Sequence, residues 1–149
     1  MREVFNLKGL YMSDTVAVEN RLKDFILEMS KVELHFSKMM DNNDCDFSDD
    51  IKHQLVEELK KVFVTHCTIK ERKYGRINNP TISMPPVYGK NEKITKIESI
   101  SKNKVRIYTD GDNPFNVKYR YILVKKESWL IDYKEYYDDY DKKWDLIEL

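Results

Sequence analysis

Residues 119–149 read YRYILVKKESWLIDYKEYYDDYDKKWDLIEL, and the reading of this stretch decides the fold. Side chains alternate sides along an extended chain, so Val117, Tyr119, Tyr121 and Leu123 share one face of a strand over 117–126. By the same alternation Trp129, Ile131 and Tyr133 share one face of a second strand over 129–137. Lys126, Glu127 and Ser128 are left as the turn between them. Two half-apolar, aromatic-rich strands joined this closely make an antiparallel hairpin with one side to bury. Beyond it, residues 136–141 (YYDDYD) read as a charged, tyrosine-rich tail.

Upstream, residues 104–109 alternate through Val105, Ile107 and Thr109 and predict another strand. Residues 93–100 predict a strand too, but Ile94, Ile97 and Ile100 break the alternation, which calls for a bulge or bend. Residues 110–114 (DGDNP) are turn chemistry leading into the 117–126 strand. Residues 65–88 lose any period and carry Gly75, Asn78, Asn79, Pro80, Pro85 and Pro86, so they form a long irregular connection of the kind that carries function.

The first half of the chain has the other period. Leu22, Phe25, Ile26, Met29, Val32 and Phe36 recur at three- and four-residue spacing, which predicts an amphipathic helix over 14–40 with Ser13 or Asp14 as its N-cap. Residues 41–46 (DNNDCD) break it, because Asn and Asp side chains bond their own backbone. Ser48 then caps a second helix with the inner stripe Ile51, Leu55, Leu59, Val62 and Phe63, and with Asp49 and Asp50 at its positive end. Helices followed by strands give an α+β fold in one domain spanning 1–149, with N-terminal helices packed on a curved antiparallel sheet of about four to six strands.

Composition narrows the function classes. The 149 residues are 41% hydrophobic and 12% aromatic, enough for one core. Lys and Arg (26) balance Asp and Glu (26), so the basic excess of a dedicated nucleic-acid binder is missing. Locally the balance fails: residues 41–50 hold five aspartates and no base, residues 68–107 hold ten Lys/Arg against three Glu, and residues 132–149 hold seven Asp/Glu against three Lys. Cys45 and Cys67 imply neither a disulfide framework nor a metal set, and His35, His53 and His66 lack zinc-like spacing. With no apolar run of membrane or signal-peptide length, a cytoplasmic protein is expected.

Three places carry a family likeness: THCTIKERKYGR over 65–76, KVRIYT over 104–109, and YRYIL followed by WLID and Lys143-Trp144. Together with the element order they resemble the NTF2-like fold, and within it the NTF2-fold immunity proteins of bacterial polymorphic toxin systems. Glu127-Ser128 departs from the glycine-containing turn expected before Trp129. The resemblance implies an NTF2-like cone and a small antitoxin that binds a cognate toxin domain and neutralises it, with no catalysis and no cofactor. Neither nucleic acid nor membrane is expected as a partner, and both a monomer and a homodimer fit.

Candidate sites follow from charge and residue type. Tyr136, Tyr137, Asp138, Asp139, Tyr140 and Asp141, with Asp44 and Asp46, are the partner-binding candidates, because tyrosines supply contact area at modest entropic cost and carboxylates steer a basic partner. Arg72, Tyr108, Tyr119, Tyr121 and Trp129 are candidate lining of the cone cavity, with Asp132, His35 and His66 as further polar candidates. They carry the alternative reading, a small-molecule binder or an isomerase- or dehydratase-like enzyme. Arg72 and Arg76 read first as loop-tying forks, and only as the lesser alternative, interleaved with Tyr74, as a stacking segment for phosphate or RNA. His66 suits the C-terminal end of its helix as a cap or a buried polar group.

Overall fold

In the computed structural model, which describes residues 3–5, 12–42, 48–72, 76, 77, 80 and 86–149, the two apolar stripes lie on two helices, α1 (Met12–Asn42) and α2 (Asp49–His66). Leu22, Phe25, Met29, Leu55 and Leu59 are wholly buried, as spacing at three and four residues dictates. The Ser48 side chain accepts a hydrogen bond from Ile51 N at 3.3 Å and caps α2. Asp14 is not the cap of α1. It lies inside the first turn, 8% exposed, and its carboxylate accepts from Trp129 Nε1 (2.9 Å) and Lys125 Nζ (3.1 Å), so the buried indole claims it.

Among the described residues six strands form one sheet in sequential order: β1 (Glu3–Phe5), β2 (Lys93–Ser101), β3 (Lys104–Asp110), β4 (Lys118–Lys125), β5 (Trp129–Asp138) and β6 (Lys143–Ile147). β1 runs parallel to β2, and every other neighbour is antiparallel. The architecture is therefore α+β, two helices on a curved sheet, consistent with an NTF2-like cone. β1 and β6 stand where no strand was expected. The stretch read as a tail is the end of β5, a turn, and β6 folding back on β5. The irregularity expected in β2 is present as two register shifts, at Ile94/Lys96 and Ser99/Ser101.

The turn between β3 and β4 is tight. Gly111 N donates to Val117 O at 2.8 Å, and a Cβ on Gly111 would stand 2.9 Å from that carbonyl and 2.7 Å from the Tyr119 ring, so no larger residue fits there without a shift. Val105, Ile107 and Thr109 of β3 and Tyr119, Tyr121 and Leu123 of β4 all turn toward the helices. Beyond α2 the described residues before β2 form neither helix nor strand, as the loss of period predicts.

The β5 register departs from simple alternation. Ile122 pairs with Tyr133 but Leu123 pairs with Ile131, so Asp132 is an extra residue, a bulge. Trp129 and Ile131 face the core as expected, whereas Tyr133 does not; the bulge turns it to the opposite face and brings Lys134 inside. The cause lies in the neighbours of β5. Its first half is flanked by residues 67–68, where Cys67 bridges to Ile131 and Thr68 N donates to Ile131 O at 2.9 Å. Its second half is flanked by β6 from Lys134 onward. Asp132 sits at the change of partner, its carboxylate held by Thr68 Oγ1 (2.8 Å) and Lys70 Nζ (2.9 Å).

Candidate functional site

The interior of the cone is lined by polar groups from both helix and sheet layers. Tyr119, Tyr121 and Trp129 are 4%, 0% and 3% exposed on the inner face, where the sequence placed them. The Lys134 ammonium lies 3.9, 4.1 and 5.2 Å from the ring centroids of Tyr119, Tyr88 and Tyr121, an aromatic surround that favours a cation. Glu92 Oε2 accepts from the Tyr121 hydroxyl and from Thr109 Oγ1, both at 2.7 Å. Burial holds the Glu92 carboxyl above its usual range against the pull of Lys134, and burial brings Lys134 down to about 8, with Arg76 adding to the effect and Glu92 opposing it.

A buried ion pair joins the helix layer to the connection before β2. Glu33 of α1 is fully buried and accepts from Tyr88 N (2.6 Å), Val87 N (3.2 Å) and Arg76 Nη2 (3.2 Å), so one carboxylate anchors the connection before β2 to the helix layer. Arg76 faces the interior at 2% exposure, which removes it from any surface stacking segment. Among the described residues, side chains thus pack the interior between helices and sheet. Surface cavities lie elsewhere: about 200 Å³ beside Phe63, Ile69 and Arg72, and about 470 Å³ between the helices beside His35, Phe36 and His53.

Two of the candidate cavity residues are elsewhere. Tyr108 points to the helix-free face of the sheet, opposite Lys96 on β2 and Arg120 on β4. Arg72 ties a loop: its guanidinium donates to Asp132 O (2.5 Å) and Thr68 O (3.1 Å). Asp132 lies with it at the bulge, its carboxyl held below the usual carboxylate range because hydrogen bonds from Lys70 and Thr68 outweigh its burial. His66 ends α2 at 4% exposure. Arg21 Nη1 lies 2.9 Å from its Nδ1, and since arginine only donates, Nε2 carries the proton and donates to Glu28 Oε2 at 2.5 Å. Burial pushes the Cys67 thiol up to about 12, so it is an inert core group.

The partner-binding candidates divide three ways. Tyr136 packs against the core, and Tyr137 lies on the helix-free face with its ring 5.3 Å from Trp144. Asp138 builds the turn, its Oδ1 accepting from Tyr140 N (2.9 Å) and Asp141 N (3.2 Å). The remaining three, Asp139, Tyr140 and Asp141, form an exposed tip, with Tyr140 94% exposed. Lys142 completes the turn at φ 57°. Asp44 and Asp46 lie outside the described residues, as do Cys45 and Tyr74. Among the described residues no three His, Cys, Asp or Glu side chains are grouped to hold a metal, and no helix is long and apolar enough to cross a membrane.

Sequence reasoning missed Lys134, Arg120 and Trp144 as members of organised clusters. Trp144 carried a signal, since tryptophan two residues before Leu146 after an acidic turn is a strand pattern of period two. Lys134 carried none, because only the bulge turns it inward.

Comparison with known proteins agrees with this architecture. The family described as NTF2 fold immunity protein matches residues 17–147. Immunity protein RhsIA of Dickeya dadantii (strain 3937) is 32% identical over 134 residues, which cover 89% of this chain and 96% of that protein. No solved structure matches the chain. With the family match spanning both helices and β2 to β6, the chain belongs to the NTF2 fold immunity protein family.

Proposed function

We propose that this chain binds a cognate toxin domain and neutralises it without catalysis of its own, the β5–β6 hairpin occluding the toxin's active site. The observation that carries this reading is the hairpin tip. Asp138 locks its backbone with two hydrogen bonds, and Tyr140 stands 94% exposed between two exposed carboxylates. A fully exposed tyrosine adds nothing to the core, and a pre-formed turn lowers the entropic cost of docking. Asp139 and Asp141 fit a basic rim and would accelerate encounter with it. Asp44 and Asp46 belong to the same proposal by charge. The packing of the described interior supports binding rather than small-molecule chemistry: Tyr121 and Thr109 donate to Glu92, Arg76 donates to Glu33, and aromatic rings surround Lys134.

The test is co-expression with the toxin domain encoded immediately upstream. Protection of growth is expected, and failure to protect sinks the reading. Asp139→Lys/Asp141→Lys is expected to slow association about tenfold or more at low salt and to flatten its salt dependence. Tyr140→Ala is expected to weaken binding while changing stability by less than about 0.5 kcal/mol. Unchanged binding in both variants would remove the hairpin from the interface.

A further inference from the structure

The helices cover one face of the sheet, and the other face carries an aromatic cluster that the core does not use. Trp144 of β6 packs edge-on against Tyr137 of β5 (5.3 Å between centroids, 66°) and against Tyr108 of β3 (5.6 Å, 74°). Neighbouring strands are about 4.8 Å apart, so β3 and β6 are separated by roughly 14 Å. Rings that meet across that span lie along the sheet instead of standing off it. The Arg120 guanidinium sits 4.5 Å from the Trp144 ring and 6.0 Å from that of Tyr108, and Arg120 Nε donates to Glu135 Oε1 at 2.7 Å. Lys96 lies over the other side of Tyr108 at 4.7 Å, and Arg106 is paired with Glu98 at 2.9 Å. Leu146 extends the patch toward the sheet edge, 66% exposed.

We infer that this platform, centred on Trp144 and Arg120, is the main docking surface for the toxin domain, with the β5–β6 tip as its rim. The inference rests on the reading above and adds where the affinity resides. Three features select the occupant. Trp, Tyr and Arg are the side chains that dominate binding energy at protein interfaces, and here they are held rigid by mutual stacking before any partner arrives. Glu98 is shared by Lys96 and Arg106 and Glu135 takes Arg120, so each base of the platform has a carboxylate partner and the aromatic centre suits an apolar partner patch. The exposed carboxylates of Asp139 and Asp141 lie on the contiguous tip, with Lys143 turned to Asp145 at 3.6 Å, and suit a basic rim on the same partner. The occupant is thus a folded protein surface with an apolar centre and a basic edge that faces Asp139 and Asp141.

The experiment titrates the full chain with a catalytically inactivated form of that upstream toxin domain. Trp144→Ala and Arg120→Ala are each expected to raise Kd about 30-fold or more. Leu146→Asp, at an exposed position outside the ring cluster, is expected to raise it about tenfold or more with an unchanged thermal midpoint, which keeps the test meaningful if Trp144→Ala loosens the sheet. Growth protection by the wild type together with binding of Trp144→Ala and Leu146→Asp within threefold of it overturns this inference and leaves the proposed function standing. Sedimentation showing a dimer that Leu146→Asp dissociates assigns the platform to a second copy, and overturns it too. A wild-type chain that neither binds nor protects overturns the proposed function itself.

Discussion

The Lys134 ammonium stands 3.9 Å from the centre of the Tyr119 ring, and both side chains are buried on the inner face of the sheet. Burial lowers the lysine to about 8 from an unfolded value of 10.5. Above pH 8 the unfolded chain holds a proton that the folded chain releases, so stability rises with pH through this window. Cys67 acts in the opposite sense: its folded value is about 12 against 9.0 unfolded, so its contribution is lost as pH rises past 9. Between pH 8 and 9 the lysine dominates. Denaturant unfolding should show stability rising by at most ~1.4 kcal/mol over that unit. Lys134→Met should remove the rise, and a variant that keeps it would mean the ammonium is not desolvated.

Among the described residues Glu33 and Arg76 form the most enclosed ion pair, with side chains 0% and 2% exposed. Glu33→Ala leaves Arg76 only the Glu148 carboxylate at 3.7 Å and takes the acceptor from the amides of Val87 and Tyr88, and should cost about 3–5 kcal/mol. Arg76→Met leaves Glu33 its two amide donors and should cost less. Urea midpoints for the two variants check the order, and the reverse order would mean that Arg76, not Glu33, organises the connection.

Asp14 and Trp129 join α1 to the start of β5 across the core. Asp14→Ala leaves a buried indole N–H without its acceptor and should destabilise by about 1–3 kcal/mol. The double variant Asp14→Ala/Trp129→Phe should show a coupling of roughly 0.5–3 kcal/mol, because each residue's contribution depends on the other. Additive losses would show that the two side chains act independently.

Several features of this protein are written in local sequence. The stripe from Leu22 to Phe36, the cap at Ser48, the alternation through Val105, Ile107 and Thr109, and the turn at 110–114 each depend on neighbours within a few residues, so period and residue type suffice to place them. The acidic tip at Asp139, Tyr140 and Asp141 was legible in the same way, as composition. What only the tertiary structure decided is which side chains share a surface. Asp132 bulges because Thr68 and Lys70, more than sixty positions earlier, capture its carboxylate where β5 exchanges one neighbour for another. That single extra residue turns Tyr133 out and Lys134 in. Tyr108 faces Trp144 and not the cavity because strand register, set by pairing across the whole sheet, assigns its face. A strand's period is local, but its phase belongs to its partners.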